Sequence, residues 1–68
     1  MDNYYINTQA QENGDHEVHK PGCSHPPLVQ NRRALGSFSN CEDAVVAAKL
    51  IYPQSNGCYY CTRACHTT

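Results

Sequence analysis

The chain has 68 residues, a formal net charge of −1 and charged side chains at 16 % of its positions. At this length folding buries only about 60 % of the surface that the extended chain exposes, so one domain is the ceiling and its apolar core needs help from a disulfide, a metal or a partner. The five cations, Lys20, Arg32, Arg33, Lys49 and Arg63, are scattered among acids and form no phosphate-binding stripe, and no apolar run approaches the roughly 20 residues of a membrane span.

The first fifteen residues are polar, and only Tyr4, Tyr5 and Ile6 offer them an anchor. They read as a flexible N-terminal extension over 1–15, with an edge strand at 4–7, ending at the turn signal Asn13-Gly14-Asp15. Met1 to Ile6 has neither the basic nor the apolar region of a secretory signal. The expected compartment is therefore a reducing cytoplasm, where thiols bind metal more often than they pair. The odd number of cysteines, five, agrees.

His16-Glu17-Val18-His19-Lys20 alternates as a short strand would, with Val18 inward. Pro21-Gly22 then turns the chain directly into Cys23, and the two prolines of Ser24-His25-Pro26-Pro27 make a rigid loop. Arg33 to Phe38 reads as a second strand. Its apolar members, Leu35 and Phe38, break strict alternation, so the strand is expected to end near Gly36. Ser39-Asn40-Cys41-Glu42 has the S-x-x-E pattern of a capping box. The helix it opens covers about 40–52, with Cys41, Val45, Ala48 and Tyr52 on one apolar face and Pro53 as its stop. Residues 53–57 read as a loop whose Asn56-Gly57 turns tightly into Cys58, and a short C-terminal helix is expected after Cys61.

Cys58-Tyr59-Tyr60-Cys61 carries two thiols at the two-residue spacing that lets both reach one tetrahedral ion. His19 and Cys23, flanking the Pro-Gly turn, complete one histidine and three cysteines, a closed structural set. Cys65 and His66 compete with His19 for the fourth place, whereas His25 reads as a loop residue and His16 as a solvated one. Cys41 sits in the first helical turn, where the helix dipole favours a thiolate, but its place on the apolar face argues for a buried, inert thiol. The Cys58–Cys61 pair has two other readings. One is a redox-active dithiol, although a thioredoxin-like site needs a βαβ frame too large for this chain. The other is a disulfide-stabilised domain with Cys58–Cys61 as the bridge. Tyr59 and Tyr60 shield sulfur from water or present rings to a partner.

Taken together, the His19-Lys20-Pro21-Gly22-Cys23 turn, the strand after Asn31-Arg32, the helix opening with Glu42-Asp43-Ala44 and the closing Gly57-Cys58-Tyr59-Tyr60-Cys61 resemble the zinc domain of the Ada DNA-repair methyltransferase family. The likeness covers about residues 18–62. It implies a zinc-stapled scaffold over 16–68. In that family a cysteine that ligates zinc also accepts the methyl group, and here that position holds His19, which can ligate but lacks the thiolate nucleophile. The chain also resembles small bacterial proteins of unassigned function that end in the pattern of Gly57–Cys61 and Cys65-His66-Thr67.

The expected molecule is thus a small single α+β domain of short antiparallel strands, one main helix and a short C-terminal helix. Its Zn2+ is structural and held by His19, Cys23, Cys58 and Cys61. The expected role is binding to a protein, or weakly to nucleic acid, by a monomer without enzymatic activity and without contact to a membrane.

Overall fold

A computed structural model describes residues 1–67. Four strands form one mixed sheet: β1 (Asp2–Asn7), β2 (His16–His19), β3 (Arg32–Phe38) and β4 (Ser55–Gly57), in the spatial order β3-β1-β2-β4. Among the described residues the one α-helix, α1 (Cys41–Lys49), connects β3 to β4, and single 3-10 turns occupy Val29–Asn31 and Arg63–Cys65. No helix among the described residues is long and apolar enough to cross a membrane.

The α+β class is as the sequence implies, but the frame is rearranged at its start. Where the sequence reads as an extension over 1–15, β1 lies between β3 and β2 and pairs antiparallel with both. The short Tyr4-Tyr5-Ile6 run is enough for this because Tyr4 and Ile6 point to one face, where both are buried. Ile6 stands opposite Val18, and Tyr5 stands opposite His19. These two pairs therefore face opposite sides of the sheet.

The mismatch between Leu35 and Phe38 is resolved by a bulge rather than by the end of the strand. Tyr4 pairs with Gly36 while Tyr5 pairs with Ala34, which leaves Leu35 as the extra residue. Gly36 adopts φ +119°, a conformation open to glycine and strained for other residues. The bulge puts Leu35 and Phe38 on the core side together, and the Phe38 ring lies 6.3 Å from that of Tyr4.

The helix packs on the Ile6–Val18 face. Ala44 and Ala48 are buried there, with Cys41, Val45 and Tyr52 packed against the same cluster, in agreement with the apolar face read from the sequence. The cap differs. Asn40, not Ser39, accepts the Asp43 N–H at 2.9 Å, because the helix starts one residue later than a Ser39 cap requires. It also ends before Pro53, at Lys49. The N–H groups of Ile51 and Tyr52 both donate to the Ala48 carbonyl, so the end tightens into turns ahead of the proline.

β4 pairs parallel with β2 (His16 with Ser55, Glu17 with Asn56, Val18 with Gly57). A tripeptide with no apolar side chain carries no strand signal and reads as a turn. It earns its place through buried polar groups. Asn56, 7 % exposed, accepts the N–H groups of Gly57 and Thr67 and donates to Asp15 at 3.2 Å. The expected C-terminal helix is reduced to the 3-10 turn at Arg63–Cys65.

Candidate metal centre

The sheet face opposite α1 begins with alternation: Val18 points at the helix, so His19 points away from it. There His19 is 1 % exposed, and its imidazole stacks on Tyr5 at 5.4 Å between centroids, with the Arg32 guanidinium also over the Tyr5 ring, 5.2 Å from its centroid. The chain leaves β2 through Lys20 and the Pro21-Gly22 turn, which delivers Cys23 beside His19. β4 runs parallel to β2 and ends level with it, which delivers Cys58. The Cys58 N–H donates to the Val18 carbonyl at 3.0 Å.

Thr62 fixes the knuckle that follows. Its hydroxyl is shared between the carbonyls of Val18 (2.9 Å) and Cys58 (3.1 Å), and its N–H donates to the Cys58 carbonyl at 3.0 Å. This role leaves no mark in the sequence, because an isolated threonine after a CxxC has no pattern of its own. Gly57 is required by close approach. A Cβ there would lie 2.7 Å from the Thr62 carbonyl oxygen and 2.8 Å from the Cys65 carbonyl carbon.

The result is one cluster. The ligating atoms of His19, Cys23, Cys58 and Cys61 all lie within 4.8 Å of one another. The sulfurs of Cys23 and Cys58 are 3.8 Å apart, and the Cys61 sulfur is 3.7 Å from His19 Nδ1. Zinc bonds of about 2.3 Å to sulfur and about 2.0–2.1 Å to nitrogen, set at tetrahedral angles, give edges of about 3.8 Å and about 3.6 Å. The donor set therefore fits such an ion both in kind and in spacing. Backbone N–H groups point at the sulfurs, from His25 to Cys23 and from Tyr60 to Cys58, each at 3.4 Å. They offset part of the negative charge that coordinated thiolates carry.

Burial decides the protonation of the cluster. It pushes the Cys61 thiol up to about 12 and raises that of Cys58, in both cases against the backbone N–H groups that favour the thiolate. Burial, helped by Arg32, pulls His19 down to about 4, so its imidazole is neutral and ready to ligate. For Cys58 and Cys61 that direction is the reverse of the depression that an attacking redox thiolate needs.

The alternative ligands lie elsewhere. Cys65 is joined to Cys41 in a disulfide, across a sequence separation of 24. His66 Nδ1 donates to the Gly57 carbonyl at 2.9 Å. This disulfide corrects two expectations. Cys41 is not an inert thiol, and the bridge is not Cys58–Cys61, whose sulfurs are both free along with that of Cys23. The helix face that turns Cys41 inward meets the Arg63–Cys65 turn there. It also removes the support that an unpaired odd count gave to a reducing compartment, since disulfides persist in oxidising ones.

Of the remaining histidines, His25 stacks on Tyr60 at 3.7 Å and stays outside the cluster, as read. His16 is only partly exposed. It stacks on Tyr52 at 3.8 Å and its Nδ1 bonds the Asn7 carbonyl at 2.9 Å. Tyr59 and Tyr60, 44 % and 59 % exposed, form the outer surface of the knuckle, with Arg63 over the Tyr59 ring. Compared with known proteins, the chain matches no family model, no curated protein and no solved structure.

Proposed function

We propose that this chain is a structural zinc module, in which one Zn2+ on His19, Cys23, Cys58 and Cys61 ties the end of β2, the turn after it and the knuckle after β4 into one unit. The observation that carries this reading is the convergence of one imidazole and three thiols, from three chain segments, within 4.8 Å. A set of three sulfurs and one nitrogen is the soft, tetrahedral choice that suits zinc over calcium or magnesium. Four protein donors leave no position for water or substrate, so the proposal assigns the ion no catalysis. The working surface is then the exposed knuckle, with Tyr59 and Tyr60. Binding of a protein is favoured over nucleic acid, because Arg32 and Arg63 already lie over tyrosine rings and the other cations are dispersed. The likeness to the Ada zinc domain supports the same scaffold, and His19 at the methyl-acceptor position supports a role without methyl transfer.

The test is metal analysis of protein purified without chelator. One zinc per chain is expected, and a strong chelator should lower Tm on the order of tens of degrees. His19→Ala should lose zinc and Cys65→Ser should keep it. Protein that carries no zinc, binds none on titration and keeps its Tm in chelator would end the reading.

A further inference from the structure

His19 holds one nitrogen, Nδ1, toward the sulfurs, and the other, Nε2, is a buried polar atom without a hydrogen-bond partner among the described residues. The ring is 1 % exposed and stacked against Tyr5, so water does not serve it. An unserved donor at that depth costs about 1–3 kcal/mol and calls for an acceptor. The nearest acid is Glu17, with Oε1 3.7 Å from Nε2. The placement follows from the strand, since residues 17 and 19 of β2 share a face. The Glu17 side chain is half-buried there, and its strand position opposite Asn56 is fixed by the pairing with β4.

Resting on the zinc reading, we infer that Glu17 is the outer carboxylate of the metal centre: it accepts a hydrogen bond from the Nε2–H of His19 and so orients Nδ1 onto the ion. Coordination through Nδ1 leaves Nε2 as an N–H and nothing else, which makes it a donor in need of an acceptor. The approach at 3.7 Å exceeds hydrogen-bond length by less than about 1 Å, the scale of a side-chain adjustment rather than of a strand movement. The carboxylate then fixes the tautomer, sets the tilt of the imidazole and raises its basicity toward the metal. Glu17 is a positioning residue and does not itself touch the ion. The sequence pattern is Glu-x-His on a strand, in which alternation alone brings the two groups together.

Zinc affinity of the full chain, measured by competition with a chromophoric chelator, tests this together with the nitrogen chemical shifts of His19. Glu17→Ala is expected to weaken zinc binding about 10–100-fold. Glu17→Gln, whose amide oxygen still accepts, should recover most of that loss. In the zinc-loaded wild type, Nδ1 should carry the metal shift, and Nε2 should carry a slowly exchanging downfield proton that moves upfield in Glu17→Gln. An affinity for Glu17→Ala within about twofold of wild type would overturn the inference. So would a metal shift on Nε2 in the wild type, a measurement that needs no variant to fold. Wild-type protein that binds no zinc at all would instead remove the underlying reading, a separate outcome.

Discussion

On the helix side of the sheet, Ile6, Val18, Ala44 and Ala48 are wholly withdrawn from solvent; at equal depth on the other side lie His19 and Cys58. The first set needs nothing beyond close packing, because burial of apolar surface is favourable in itself. The second set brings polar and protonated groups to the same depth, where burial opposes every charge they could carry. One alternating strand supplies both faces: Val18 to the core and His19 to the cluster. The difference teaches how a short chain divides its stability. An apolar face in a chain this short is small for a fold that stands alone, and the polar face brings His19 Nε2, buried and unpartnered among the described residues, to the same depth.

The largest break in this comparison comes from the apolar side. Ile6 is the largest fully buried side chain, and Ile6→Ala is expected to cost about 2–5 kcal/mol in denaturant unfolding. That is a major share of the roughly 3–10 kcal/mol a chain of this size holds. If the two faces are independent, the zinc content of the folded variant stays at one per chain. A cost below about 1 kcal/mol would show that the helix face is not the core.

The apolar face was the more legible of the two. The helix announced itself through Cys41, Val45, Ala48 and Tyr52, and β2 through its alternation about Val18. What stayed hidden has a physical reason in each case. β1 looked like a tail because its central position depends on partners far along the chain. β4 looked like a turn because Asn56 holds it through side-chain hydrogen bonds, which leave no hydropathy pattern. The bulge at Leu35–Gly36 looked like the end of a strand because an extra residue shifts the period by one. Cys23, Cys58 and Cys61 were legible from ligand spacing, and His19 was in competition with Cys65 and His66 for the fourth place, while Thr62, which positions the knuckle, left no signal. The Cys41–Cys65 bridge could not be read at all, since spacing does not fix which of five thiols pair.

That bridge allows a sharper cut between the faces, because it joins the start of α1 to the turn that follows the knuckle. Replacing both cysteines, Cys41→Ser with Cys65→Ser, is expected to cost roughly 3 kcal/mol for a closed loop of this length. Zinc stoichiometry should remain at one per chain, since neither sulfur belongs to the cluster. If the double variant loses zinc, disulfide and metal act as one staple and the two-face description fails. A denaturant titration with parallel metal analysis distinguishes the outcomes.

The smallest expected effect lies at the seam between the N-terminal loop and β4. Asp15 accepts from Gln54 at 2.9 Å, from Asn56 at 3.2 Å and from Asn13 at 3.3 Å, and these hydrogen bonds, that of Gln54 foremost, hold its carboxyl below the usual value of 3.8. A carboxyl depressed in the fold contributes stability that is fully present above pH 3.8 and is lost as pH falls below it, through the lower folded value. Wild type should therefore exceed Asp15→Asn in stability between pH 5 and pH 7, and the gap should narrow below pH 3.8. Taking the difference between the two proteins at each pH cancels any loss of metal in acid that both share. A gap that does not change with pH would mean that the Asp15 carboxyl is not depressed in the fold, and that β4 is held at this seam by geometry rather than by charge.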